Sequence, residues 1–170
     1  MRVALIADSH DRVPALREFG RRFVEGGAGL VLHAGDYCSP FALQALTERN
    51  PAVAGVFGRN DGDPAGLRAE AARCVGVELY ESPHSVEMDG KRILLVHDIG
   101  EVHERSLEAH DIVVHGCTHE YSVTSLGRTL VINPGEACGW LHGTPTAMLL
   151  DLATNEWDLI RLDGPEWAGG

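Results

Sequence analysis

The 170-residue chain holds one lysine, Lys91, and its 14 basic side chains are outnumbered by 25 acidic ones, giving a net charge of −11. Nucleic acids and anionic membranes are gripped by broad Lys/Arg-rich faces, so no such surface is expected here. A small phosphate-bearing substrate stays compatible with the acidity, because bound divalent cations reverse the local sign. No stretch approaches the roughly 20 consecutive apolar residues needed to span a bilayer. The opening apolar run, residues 3–7, is too short for a secretory signal and leads straight into Asp8, so a cytoplasmic location is expected. Cys38, Cys74, Cys117 and Cys138 form no CxxC pair, which argues against zinc ribbons and dithiol redox motifs and predicts free thiols. No Gly-x-Gly-x-x-Gly follows the first apolar run, and no Gly-x-Ser-x-Gly occurs, so neither a dinucleotide fold nor a serine nucleophile elbow is supported.

What is present is a regular alternation. Apolar residues make up 44% of the chain and charged residues 23%, ordinary values for one globular core. Short apolar runs at residues 3–7, 30–32 and 53–57 read as buried strands. Between them, helices are predicted over 13–25, stopped by Gly26-Gly27, and from Pro40 to about residue 48. Strand–helix alternation implies right-handed βαβ units and a parallel sheet. The second half is richer in strands: 86–88 and 93–96 about the turn dipeptide Asp89-Gly90, then 112–114, 123–126, 130–132, 147–152 and 157–162. One domain over residues 1–162 is expected, with 163–170 as a frayed tail.

The chemistry gathers where these runs end. The first ends in Asp8-Ser9-His10, the second in His33-Ala34-Gly35-Asp36, and the third in Gly58-Arg59-Asn60-Asp61. Later runs end in His97-Asp98 and in His115-Gly116-Cys117-Thr118-His119. Ligands of open α/β sheets bind at the carboxyl ends of strands. Buried Asp and His are disfavoured unless something satisfies them, and a divalent cation does so for a cluster drawn from five strands. Each piece alone has a bland reading: Gly-Asp is a common turn, and His33 or His97 could be a satisfied core histidine. His84, His103, His110 and His142 read as surface or core residues. The joint pattern favours the metal.

Asp8-x-His10, Gly35-Asp36, Gly58-x-x-Asp61, His97 and Gly116-x-Thr118-His119 together resemble the calcineurin-like metallophosphoesterase superfamily. Asn133-Pro134-Gly135-Glu136 resembles an element of its small, single-domain archaeal and bacterial phosphodiesterases. The resemblance implies a four-layer α/β/β/α sandwich of two mixed sheets flanked by helices, with metal at the strand ends. It implies one or two divalent ions per chain, drawn from Mn, Zn, Fe, Ni and Mg, and hydrolysis of a small phosphate ester by a water whose pKa the metal lowers. Asp36 would bridge two ions, with Asp8, His10 and His119 on the first. The second would take His97, an asparagine after the third strand, and the first histidine of a Gly-His-x-His motif.

Both of those last positions depart from the family pattern. Without a gap, Arg59 stands where the asparagine belongs, and Cys117 replaces the histidine. Arginine has no lone pair to give a cation, and a thiolate suits Zn²⁺ or Fe²⁺ better than Mn²⁺ or Mg²⁺. Three readings follow. Cys117 could ligate, with Asn60 or a water completing an altered pair. A single ion could be joined by Arg59, whose guanidinium pairs well with phosphate oxygens. Or catalysis is lost and the fold binds a protein partner, as in the retromer's vacuolar sorting subunit. Asp61 and His97 are the candidate proton relays, and His115, two residues before Cys117, is either a substitute ligand or, as the simpler reading, a residue that supports the ligands from behind. An apolar patch about Trp140 or Trp157 would favour a homodimer.

Overall fold

The computed structural model describes residues 1–49 and 52–167. In chain order the elements are β1 (Arg2–Ile6), α1 (Val13–Glu25), β2 (Leu30–His33), α2 (Pro40–Thr47), β3 (Ala52–Val56), α3 (Pro64–Ala71), β4 (Val77–Tyr80) and β5 (His84–Met88). There follow β6 (Lys91–Val96), a 3₁₀ turn (Ile99–Glu101), α4 (Glu104–Glu108), β7 (Ile112–His115), β8 (Ser122–Leu126), β9 (Thr129–Asn133), β10 (Thr146–Asp151) and β11 (Trp157–Arg161). One sheet runs β11-β10-β1-β2-β3-β4 and the other β5-β6-β7-β9-β8. β1 to β4 are parallel, β10 and β11 extend them antiparallel, and β6, β7 and β9 form a parallel centre with antiparallel edges. Both sheets are therefore mixed, as the resemblance implied.

Alternation along β1 shows why its residues are apolar throughout. Val3 and Leu5 point between the sheets, where they meet Leu32, Val56, Ile93, Leu95, Ile112, Val114 and Ile132. Ala4 and Ile6 point the other way, onto Leu16, Phe19 and Phe23 of α1 and Leu43 and Leu46 of α2. A strand covered on both faces needs apolar side chains at every position. The stripe Leu16, Phe19 and Phe23 follows the helical period, and Gly26 and Gly27, the latter at φ +77°, end the helix as expected. The outer face of the second sheet is covered more thinly. Among the described residues, Ile99 of the 3₁₀ turn, Val102 just after it and Leu107 of α4 pack on Leu94, Val96, Val113 and Val131, with Leu126 of β8 beside them.

Besides the 3₁₀ turn and α4, two further elements lie beyond the expected pattern. α3 (PAGLRAEA) has Leu67 and Ala71 as its buried residues, and β4 is an edge strand with Val77 alone fully covered. Neither offers the apolar periodicity that reveals a helix or strand in sequence. Residues 163–167 of the expected frayed tail are described. The half-buried Trp167 indole packs on the helical core, and the Trp167 carbonyl accepts from Arg12 Nη2 at 2.9 Å. Residues 168–170 lie outside the described part.

Candidate metal centre

Three loops meet at the carboxyl edge of the parallel strands: 7–12 after β1, 34–39 after β2, and 116–121 after β7. Backbone hydrogen bonds lock the first two together. Asp8 N donates to Gly35 O at 3.1 Å, and Ser9 N and His10 N both reach Asp36 O at 3.0 Å. Of nine non-glycine residues with positive φ among the described residues, seven lie in these loops: Asp8, His10, Asp11, Asp36, Cys38, Cys117 and His119. Such backbone strain persists where surrounding structure over-determines it, and it clusters at functional sites. Gly58 and Gly116 are required by closeness. A Cβ on Gly58 would overlap the Asp36 carboxylate, and one on Gly116 would lie 2.9 Å from Asp8 Oδ2.

Asp8 and Asp36, both buried, occupy the centre. His10 Nε2 lies 3.4 Å from Asp36 Oδ2, His97 Nε2 3.4 Å from Asp36 Oδ1, and His119 Nε2 3.7 Å from Asp8 Oδ1. The other nitrogen of each ring is occupied. His97 Nδ1 donates to the carbonyl of Ala34 at 2.9 Å, and His119 Nδ1 to Glu136 Oε2 at 2.8 Å. His10 Nδ1 meets Cys38 Sγ at 3.3 Å. Anchoring through Nδ1 leaves a metal-binding lone pair on Nε2, the usual arrangement for a ligating histidine. Burial pushes the Glu136 carboxyl up, but donors from His119, His142 and Leu141 more than offset it and leave it below the ordinary value.

Without an ion the cluster is electrostatically costly. Burial pushes the Asp8 carboxyl up to about 6, opposed by His119 and His97 and assisted by Asp36. Burial also lowers His10. His10 Nε2 is buried with no hydrogen-bond partner. An orphaned imidazole nitrogen facing a buried carboxylate is what a cation would satisfy, so the residues present fit a divalent metal. Among the described residues, Asp8, Asp36 and His97 offer ligand atoms within 4.8 Å of one another, as do His10, His119 and Cys138.

The structure brings together Asp8, His10, Asp36, Asn60, His97 and His119. Asn60 N and Nδ2 each donate to Asp36 at 2.8 Å, so its amide reaches the Asp36 carboxylate, and a half-turn would turn its oxygen inward instead. Arg59 points away. Its Nη2 lies 2.5 Å from Asp98 Oδ2 and 2.8 Å from Glu101 Oε1, and its Nη1 3.9 Å from Cys117 Sγ. Cys117 supplies its backbone N–H to Asp8 Oδ2 at 3.0 Å, while its thiol is in neither ligand group. Asp61 accepts Cys38 N at 2.8 Å and Gly58 N at 2.6 Å, which spends both oxygens on tying two loops together.

His115 is buried with Nδ1 3.3 Å from Gly116 O. His33 accepts Gly35 N on Nδ1 and so carries its proton on Nε2, toward Ser9 Oγ at 3.1 Å. Burial lowers His33 to about 3, which keeps it neutral, and its ring stacks on Tyr37. Sequence reasoning missed Cys138 and the part played by Glu136. The one available signal was that Glu136 and Cys138 follow the Asn-Pro-Gly element.

Two mixed sheets flanked by helices, with carboxylates and imidazoles gathered at one strand edge, match the architecture of calcineurin-like phosphoesterases. The calcineurin-like phosphoesterase superfamily domain matches residues 1–155, and the chain belongs to that superfamily. It is 30% identical over 166 residues to the phosphodiesterase MJ0936 of Methanocaldococcus jannaschii, covering 96% of this chain and all of that one. A solved structure described as a novel archaeal phosphodiesterase superposes with a TM-score of 0.88 at 30% identity, covering 95% of this chain and all of that one. Vps29 of Entamoeba histolytica, solved with zinc, shares the fold with a TM-score of 0.63 at 21% identity, covering 96% of this chain and 99% of that one. Among the described residues no helix is long and apolar enough to cross a membrane.

Proposed function

We propose that the chain is a divalent-metal-dependent phosphodiesterase acting on a small phosphate ester, with two ions sharing Asp36. The observation that carries this reading is the orphaned Nε2 of His10 against buried Asp36, within a set of histidines each anchored through Nδ1. Asp8, His10, Asp36 and His119 would hold the first ion, and Asp36, Asn60 and His97 the second. Bound ions supply Lewis acidity toward a phosphoryl oxygen and lower the pKa of water.

The chain's own residues do the rest. The Ala34 carbonyl and the Glu136 carboxylate orient two imidazoles, the Asn60 backbone N–H fixes the Asp36 carboxylate, and Asp61 holds the loop carrying Asn60 to the loop carrying Asp36. Arg59, held at the mouth by Asp98 and Glu101, contributes positive charge near the entrance rather than occupying an ion's seat. The 30% identity to a phosphodiesterase over nearly the whole chain favours the enzyme over a scaffold that only binds a protein partner.

The test uses metal-stripped chain and bis-p-nitrophenyl phosphate, with Mn²⁺, Zn²⁺, Fe²⁺, Ni²⁺ or Mg²⁺ restored one at a time. Turnover should return with at least one of these ions and vanish on chelation. Folded protein that stays inactive with all five would move the assignment to the scaffold.

A further inference from the structure

Glu136 is buried, and its carboxylate is the meeting point of four donors. Oε2 accepts from His119 Nδ1 at 2.8 Å, Leu141 N at 3.1 Å and Cys138 Sγ at 3.4 Å. Oε1 accepts from His142 N at 2.6 Å and shares Leu141 N at 3.0 Å. The backbone around it is held as firmly: Thr146 N donates to Glu136 O at 2.9 Å, Ala137 N to Ala7 O at 2.9 Å and Cys138 N to Asp8 O at 3.0 Å. One face of the carboxylate thus meets a metal ligand. The other meets the loop of residues 138–143, which runs along the outside of the site.

That loop has two visible tasks. It lays the Trp140 ring against the Arg12 guanidinium, 5.0 Å from the ring centroid, while Arg12 also donates to the carbonyls of Cys138 and Trp167. Through His142 it also contributes to a cavity of about 350 Å³, lined besides by His119, Tyr121, Glu136, Thr144 and Arg161, which opens beside His119.

We propose that Glu136 is a positioning residue that sets both at once: it holds His119 as the Nδ1–H tautomer, leaving Nε2 for the first ion, and it fixes the 138–143 loop whose His142 contributes to the adjoining cavity. The proposal rests on the metal reading of the site and adds a link between the ion's seat and the loop. Only a carboxylate meets the demand, because donors converge on both of its oxygens. A glutamine has one acceptor and one NH2. With its oxygen toward the loop, the NH2 faces His119 Nδ1 and forces the proton to Nε2, removing the lone pair from the ion. With its oxygen toward His119, the NH2 faces the His142 N–H, and the loop must move.

The experiment titrates Mn²⁺ alone into the metal-stripped, full-length chain by calorimetry, with tryptophan emission recorded alongside. A Trp140→Phe variant identifies the Trp140 share of that emission. Glu136→Gln should weaken the first Mn²⁺ by about 10- to 100-fold, the range typical of residues that orient a metal ligand, or shift Trp140 emission before any metal is added. Either result supports the link.

Thr146→Val, which removes a nearby hydrogen bond to the Pro134 carbonyl without touching the carboxylate, should lower thermal stability and leave both readouts in place. Should Glu136→Gln not fold, Glu136→Asp is read the same way, since its shorter reach cannot serve both faces. Wild-type affinity and emission in the Glu136 variant, or an equal loss of affinity in Thr146→Val, overturns the proposal. A wild-type chain that takes up no Mn²⁺ sinks the metal reading itself.

Discussion

Replacing Asp36 by asparagine should lower metal-dependent phosphodiester turnover by at least about 10³-fold, a barrier increase of about 4 kcal/mol. Three features make this position the most sensitive. Its two carboxylate oxygens face different histidines, His10 from one side and His97 from the other, so one substitution weakens both proposed seats. It is buried, so no water replaces the lost charge. And its backbone is left-handed, at φ +62°, a conformation asparagine tolerates about as well as aspartate, so the loop should keep its course. Loss of turnover should therefore come without loss of fold. Circular dichroism and melting of the metal-free variant check this: a spectrum matching the parent's, with turnover gone, is the expected pair. Retained turnover in fully metal-loaded Asp36→Asn would remove Asp36 from the centre of the account.

The second large effect separates two neighbours. Asn60→Leu should reduce bound metal from two equivalents to one and slow turnover by about 10²-fold, comparable with the loss of one well-placed electrostatic partner. Arg59→Ala should keep two equivalents and change turnover far less, because its guanidinium is engaged by Asp98 and Glu101 and faces outward. Elemental analysis of the two purified variants decides the matter. Loss of the second ion in Arg59→Ala, with Asn60→Leu unaffected, would return the seat's organisation to Arg59. The position also shows where an ungapped reading of a motif runs out. Aligned by count, Arg59 takes the asparagine's place. In the folded loop, Gly58 N and Cys38 N grip the Asp61 carboxylate, and Asn60 N donates to Asp36, which turns the Asn60 amide inward.

Much of the fold was legible for a simple physical reason. Strands buried on both faces must be apolar throughout, so β1, β2, β3, β6, β7 and β10 announce themselves, and the Asp and His residues that break those runs mark the strand ends. α1 was legible from its Leu16–Phe19–Phe23 stripe and paired glycines. α3 and β4 were not, because each buries one face shallowly at a sheet edge and carries too few apolar residues to show a period.

At the site, residue types pointed to the candidate metal ligands, but partners distant in sequence could not be seen. Glu136 meets His119 across 17 residues, and Arg12 reaches Cys138 across 126. Such contacts depend on where β10 and the 138–143 loop return to the β1 edge, which no local pattern encodes. The backbone donors of Asp61 were hidden for the same reason: Cys38 N and Gly58 N make its carboxylate a brace between loops.

Crystals of the full-length chain grown with Mn²⁺, and diffraction recorded at a wavelength where manganese scatters anomalously, put the central claim to its most direct test. Two anomalous peaks are expected on either side of the Asp36 carboxylate, one enclosed by Asp8, His10 and His119, the other by Asn60 and His97. Diffraction data with no peak at Asp36, and His10 Nε2 hydrogen-bonded to water or protein instead, would contradict it.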